Sequence, residues 1–398
     1  MDDLYSQRNG IAVGGSVRYI QGYVAYGKAI VLNQSTTTQI DITPAFNFTA
    51  IPSFTIQGFF MLQRSQLSAS LIRLTPSIMM NFTNGILTAS LRSNSSIAGT
   101  STISTNYWHH LSFVYDAVQQ TVILYIDGMA EATSTSIIPD ITTYTIDSKI
   151  IVGDRFQGCI DQLSIVLRAK PQEEILWDAT VAAYYRLDIA WLLDSGPNGL
   201  NATATDVIPI YGWLGNALNF NITNSYFQAD HFTALGTPNQ EFSISLWLRA
   251  ETQAGVFLTV SNPSICLLVL GLENNQNTLI AYLPNSTATG ESVNIVGPVM
   301  PKNAWVNVIF TWSSQNRARL YTSGDLKKAN GDASLLNNAR GGNDSLPMTL
   351  TLGTYNGQAN CRGIAGVNTS RQFMGSIDEV YVFTRELQAN DIAQLVRL

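Results

Sequence analysis

Charge is scarce in this chain. Asp, Glu, Lys and Arg make up 13% of its 398 residues, about half the usual share of roughly 25%. Only six lysines occur, and Lys327-Lys328 is their only adjacent pair. With a net charge of -6 and a pI near 5.1, no basic stripe exists to displace counterions from phosphates, which excludes nucleic acid as a partner. A polybasic membrane anchor is excluded on the same ground. Long apolar runs are missing too. The longest, Ile265 to Leu272, is strand-sized, against the roughly 18 residues that a membrane span needs.

Cysteine is rare as well. Three residues cannot build a disulfide scaffold, and an odd number leaves one over. Cys266 and Cys361 both fall in the second half and are the expected bridge, with Cys159 left unpaired. Histidine is limited to three residues. His109 and His110 are neighbours on a strand, so their side chains diverge, and His231 stands alone. No Cys or His lies at ligand spacing, which excludes a zinc site. No Gly-rich phosphate loop precedes a helix.

What the chain has is apolar and uncharged polar residues. Hydrophobic residues reach 45%, enough for two or three domains with real cores. Nine N-x-[ST] sequons begin at Asn33, Asn47, Asn81, Asn94, Asn201, Asn221, Asn285, Asn343 and Asn368. The opening Met1-Asp2-Asp3-Leu4-Tyr5 shows neither a basic nor an apolar signal region. The chain therefore either stays inside the cell or is a processed piece of a longer precursor. The sequons and the scarcity of lysine favour the second, extracellular or cell-surface, origin.

The sequence repeats itself. Gly27-Lys28-Ala29-Ile30-Val31-Leu32-Asn33 returns as Gly215-Asn216-Ala217-Leu218-Asn219-Phe220-Asn221, and Phe54 through Phe60 as Phe242 through Leu248. Trp108 through Tyr115 matches Trp305 through Trp312, Leu124-Tyr125 and Gly128 match Leu320-Tyr321 and Gly324, and Gly158 through Leu163 matches Gly375 through Val380. Five blocks in one order predict two copies of one domain, over 1–178 and 179–398, with longer loops in the second. Both read as β: apolar residues alternate in period two between Gly, Asn, Asp and Ser turns. Leu111, Phe113 and Tyr115 face one way and Trp108, His110 and Ser112 the other. Only Pro171 to Leu176 and Gln388 to Leu395 read as helical. The expected fold is all-β, two consecutive antiparallel sandwiches.

Tyr184-Tyr185-Arg186-Leu187-Asp188, Asp194-Ser195-Gly196-Pro197-Asn198-Gly199, Phe242 to Leu248 and Gly375 to Phe383 together resemble the opening and closing strands of laminin-G-like jelly rolls, in the concanavalin A-like lectin/glucanase superfamily. The first copy lacks the Tyr-Tyr-x-Leu-Asp opening, so its first strand is expected to be truncated. The resemblance implies a fold shared by lectins, adhesion modules, glycosidases and structural domains. A glycoside hydrolase is an unfavoured alternative, because the Glu-x-Asp-x-x-Glu run of the superfamily's glucanases is absent and hydrolysis needs two carboxyls across one cleft. No catalytic residue is assigned.

Two constellations remain. Asp161 and Asp378 are expected on the face that carries Leu163 and Ile165, or Val380 and Val382. A carboxylate there needs a cation or several N–H donors. With Asp194 they form a candidate structural Ca2+ site; the alternative is that each accepts backbone N–H groups. Trp108, Trp247, Trp305 and Tyr321 recur opposite the apolar stripe. They are either a concave glycan-binding face or a second small core under loops. The expectation is a non-enzymatic extracellular adhesion, recognition or surface-assembly protein. Its partners would be glycans, extracellular proteins or copies of itself, with no membrane insertion.

Overall fold

The computed structural model describes residues 9–23, 27–33, 38–42, 53–64, 68–74, 78–92, 95–136, 149–251, 255–273, 276–283, 293–330, 347–354, 361 and 373–397. Two compact units meet in sequence between Ala179 and Thr180. Each is a pair of antiparallel sheets with one short helix at its end, Gln172–Thr180 and Ala389–Leu395.

In the first unit, one sheet runs Met129–Ser134, Thr121–Ile126, Trp108–Asp116, Phe54–Leu62, Gly158–Val166, Lys28–Leu32 and Arg18–Gln21. The other runs Gly10–Val13, Gln39–Ile42, Ile150–Val152, Ser68–Arg73, Met79–Thr83, Ile86–Arg92 and Ser95–Thr102. The second unit repeats both orders strand for strand. One sheet is Asp325–Asn330, Arg317–Thr322, Trp305–Ser313, Phe242–Ala250, Gly375–Phe383, Asn216–Phe220 and Ile208–Tyr211. Its partner is Ala202–Thr205, Tyr226–Phe232, Met348–Leu352, Gly255–Ser261, Cys266–Leu272, Thr278–Leu283 and Val293–Val299. The second unit adds Val181–Tyr185, paired with Gly375–Phe383. The first unit has no such strand among the described residues.

Register repeats as well as order. Gly158 lies opposite Leu32, and Gly375 opposite Phe220. Both positions exclude a side chain: a Cβ on Gly158 would sit 2.1 Å from the Met61 carbonyl oxygen, and one on Gly375 2.4 Å from that of Arg249.

Strand alternation builds the core. Leu111, Phe113 and Tyr115 enter the space between the sheets with Ile56, Phe60, Phe82, Leu87 and Phe156. The opposite face of the same strand is covered too, because Ile175 of the closing helix packs on Val114 and Tyr125. Polar groups on a face covered in this way need partners, and small hydroxyls there satisfy the covering backbone. The Thr55 hydroxyl donates to the Arg168 carbonyl at 2.8 Å and accepts the Lys170 N–H at 3.0 Å. Ser243 repeats this with the Arg385 carbonyl at 2.8 Å and the Leu387 N–H at 3.0 Å. Each clamp leads into a bidentate arginine fork, Arg168 on Glu174 and Arg385 on Asp391, which ties down the helix.

Candidate functional site

The alternation expected of the closing strands fails at one residue in each unit. Gln162 and Glu379 have φ of 47° and 51°, and the register against Phe54–Leu62 and Phe242–Ala250 shifts there. The inserted residue is a β-bulge, so alternation restarts one step late. Asp161 therefore pairs with Phe59 and Asp378 with Trp247, on the face away from the core. The expectation that these acids share a face with Leu163 and Val380 is corrected by that bulge.

Both acids hold a hairpin. The Asp378 carboxylate accepts the N–H groups of Trp213 at 2.8 Å, Leu214 at 3.0 Å and Glu379 at 2.9 Å. Asp161 accepts those of Tyr23 at 2.8 Å and Gln162 at 2.9 Å. A glycine precedes each latched aromatic because nothing larger fits: a Cβ on Gly22 would be 2.5 Å from Asp161 Oδ2, and one on Gly212 2.3 Å from Asp378 Oδ2. The latch lays the aromatic against a ring of the sheet. Tyr23 rests on Phe59 with centroids 4.6 Å apart, and Trp213 stacks on Trp247 at 3.8 Å and 12°. Burial pushes the Asp378 carboxyl up to about 7, with the Glu379 charge adding and the N–H bonds opposing. Burial raises Asp161 and Glu379 as well. Glu379 accepts hydroxyl bonds from Tyr184 at 2.6 Å and Tyr381 at 3.2 Å.

In the second unit this latch ends in an open surface. Trp213 is 43% exposed and Tyr211 90%. Two residues along the strand from Trp247, on the same face, Arg249 lies opposite Trp305. Its guanidinium sits 5.3 Å from that ring centroid and 3.8 Å from Glu251. Flat indoles and an arginine–glutamate pair therefore share one face. The first unit differs at the matching places: Met61 lies opposite Trp108, and Gln63 follows in the position of Glu251.

Of the four aromatics expected to bind glycan, Trp247 is buried under Trp213, and Trp305 is half-buried under Arg249. Trp108 is half-buried in the first unit, 6.0 Å from Tyr23. Tyr321 is buried and does not join them. A broad concave aromatic face is thus not what the structure builds; among the described residues of the second unit, the exposed rings are Trp213 and Tyr211. Sequence reasoning missed these two and Arg249. The signal was a Gly-aromatic pair ahead of Gly-x-Ala in both copies, Gly22-Tyr23 before Gly27-Lys28-Ala29 and Gly212-Trp213 before Gly215-Asn216-Ala217.

A laminin-G-like family model, described as the concanavalin A-like lectin/glucanases superfamily, matches residues 34–176 and 221–393. The chain belongs to this superfamily. No curated protein matches the sequence. Among solved structures, the botulinum neurotoxin serotype G binding domain is similar at 18% identity and a TM-score of 0.39, with 55% of this chain and 50% of that one covered. The binding domain of Paraclostridial Mosquitocidal Protein 1 gives 15%, 0.41, 55% and 52%. Domain 4 of AbnA, a GH43 extracellular arabinanase from Geobacillus stearothermophilus in complex with arabinotriose, gives 20%, 0.36, 54% and 98%. The chain thus spans about half the length of the toxin domains.

In this superfamily member, the three acids considered for Ca2+ do not fit the ion. Asp194 accepts N–H groups of Tyr184 at 2.9 Å, Gly196 at 2.8 Å and Leu200 at 2.9 Å. Asp161 and Asp378 are turned to N–H donors in the same way. A carboxylate surrounded by N–H dipoles is already compensated, and those dipoles repel a cation. No group of three or more His, Cys, Asp or Glu able to hold a metal occurs among the described residues. Asp378 and Glu379 are sealed from solvent, so this pair does not flank an open cleft.

Cys266 and Cys361 form a disulfide, with Cα atoms 5.1 Å apart. Cys159 is free and buried, its thiol pushed up to about 11 by burial. His110 is buried, which lowers it to about 4. Of the sequons, Asn33, Asn201 and Asn221 are exposed and Asn81 is half-buried. Asn47, Asn94, Asn285, Asn343 and Asn368 lie outside the described residues. No helix among the described residues is long and apolar enough to cross a membrane.

Proposed function

We propose that the chain is an extracellular recognition module that binds glycans through the aromatic face of its second unit. The observation that carries this reading is the Trp213–Trp247 stack, fixed by Asp378 and flanked by the Arg249–Trp305 pair. A ring held flat by its backbone loses little entropy when a sugar settles its C–H face on it, and neighbouring polar groups read the hydroxyls. Arg249 and Glu251 are those readers. Asp378 and Glu379 are buried away from this surface, which favours binding over glycoside hydrolysis there. The Cys266–Cys361 bridge suits an oxidising compartment, and the exposed sequons suit the same setting.

A glycan array probed with the intact chain tests this. Binding to a defined set of glycans is expected, weakened about tenfold or more, near 1.4 kcal/mol, by Trp213→Ala and by Arg249→Ala, with melting temperature unchanged. A wild-type chain that binds no glycan on the array overturns the reading.

One feature of the same hairpin supports a second reading, assembly with copies of the chain. Ile208 and Leu214 are each 40% exposed beside Tyr211, on a low-charge surface that resists association poorly. Pro209 lacks an N–H on this edge strand, so a partner would meet side chains rather than add a strand. Sedimentation velocity would show species growing with concentration, and Tyr211→Ser would abolish them.

A further inference from the structure

Three polar side chains of the first unit, outside the surface just described, form a linked chain. His109 Nδ1 lies 2.8 Å from Asp127 Oδ2, and His109 Nε2 lies 2.7 Å from the Ser104 hydroxyl. Asp127 is an acceptor when ionised, so the Nδ1 hydrogen points to it. That leaves the Nε2 lone pair to accept the Ser104 O–H. The second Asp127 oxygen accepts the His110 N–H at 2.8 Å, which fixes the carboxylate, while only 17% of the His109 side chain is exposed. Ser104 is exposed on the turn before Trp108–Asp116. Flanking N–H groups are spent on the scaffold, Ile103 on the Gly85 carbonyl at 2.9 Å and Asn106 on that of Leu62 at 2.6 Å. Those of Ser104 and Thr105 have no backbone acceptor among the described residues and stand next to the hydroxyl.

The fold does not require this chain. In the second unit the same turns form without it: Asn303 donates its N–H to Ala250 as Asn106 does to Leu62, and Ser323 to Asn307 as Asp127 does to His110. The residues at the matching positions are Pro301, Val306 and Ser323. A hydroxyl, an imidazole and a carboxylate linked in the order that nucleophilic catalysis needs are thus present at these positions in the first copy and not in the second.

We propose that Ser104, His109 and Asp127 form a site for acyl transfer from carboxylic esters. Ser104 Oγ attacks the ester carbonyl as its proton passes to His109 Nε2. The C–O bond to the alcohol then breaks, and that proton leaves with the alcohol. Water next attacks the acyl-serine, giving its proton to His109, which returns it to Ser104 as the carboxylic acid departs. Asp127 is a positioning residue, holding the ring and stabilising the imidazolium. The Ser104 and Thr105 N–H groups, without a backbone acceptor among the described residues, are the donors available to the oxyanion. The site goes beyond glycan recognition and does not depend on it.

The test uses the intact chain with diisopropyl fluorophosphate as probe, the modified residue mapped by mass spectrometry, and p-nitrophenyl acetate as substrate. The expected result is labelling at Ser104 and hydrolysis, both abolished by Ser104→Ala. His109→Val, which installs the residue of the second copy and so suits the fold, should slow labelling by about a hundredfold. Asp127→Asn should lower kcat at least tenfold with KM and melting temperature unchanged, a split that a purely structural role would not produce. Absence of Ser104 labelling, or labelling that His109→Val leaves unchanged, overturns the proposal.

Discussion

Asp378 shows how one residue couples the hairpin to pH. It is fully buried, and burial pushes its carboxyl up to about 7, against about 3.9 for the unfolded chain. The fold favours the neutral acid, so this group's stabilisation is complete below about pH 4 and is lost as pH rises through about 7. The slope is at most about 1.4 kcal/mol per pH unit. Melts of the second unit recorded between pH 4 and 8 should show this decline, and Asp378→Asn should flatten it. An unchanged slope in the variant would place the titration elsewhere. His110 acts in the opposite sense. Burial lowers it to about 4, so its contribution is complete above about pH 6.5 and fades as pH falls through about 4. Asn307 occupies the matching place in the second unit, so His110→Asn should fold and lose that acid sensitivity. The sequence marked Asp161 and Asp378 as residues needing compensation. It could not say whether cation or N–H donors supply it, because the Trp213, Leu214 and Tyr23 donors come from segments more than a hundred residues away.

The hairpin between Ile208–Tyr211 and Asn216–Phe220 is the element on which the site depends. Gly212→Ala would place a methyl group against the Asp378 carboxylate and the Asn216 backbone, at 2.3 and 2.8 Å. It should cost about 1–3 kcal/mol and shift Trp213 fluorescence to the red as the indole stack opens. A variant with unchanged melting and emission would mean that the latch does not hold the ring. Period-two patterning made the strands and the core face of Trp108–Asp116 legible, since alternation reads directly as inside and outside. It misplaced Asp378 because a bulge carries no composition signal beyond one residue able to adopt positive φ, and Glu379 is not a residue that announces it. The aromatic face was half legible: Trp247 and Trp305 recur in sequence, while Trp213 and Arg249 reach them only through strand pairing.

At the scale of the whole chain, duplication explains what is shared and divergence points to what is used. Strand order, the Thr55 and Ser243 clamps and the Gly-aromatic latches recur in both units. The Arg249–Glu251 pair is confined to the second and the Ser104–His109–Asp127 chain to the first. The Cys266–Cys361 bridge spans 95 residues of the second unit alone. Its reduction should destabilise that unit by about 2–5 kcal/mol, lowering its melting temperature and leaving the first unit's in place; calorimetry with and without reductant reads this out. Repeat blocks made the two-domain architecture plain from sequence, because spacing survives divergence. Ligand choice did not show, because it rests on a few outward side chains whose neighbours are fixed by register. One glycan array comparing the wild-type chain, Trp213→Ala and Trp108→Ala decides whether the second unit's aromatic face recognises glycans. Trp213→Ala is expected to lose binding and Trp108→Ala to keep it. Equal binding by all three, or loss only in Trp108→Ala, would contradict recognition by that face.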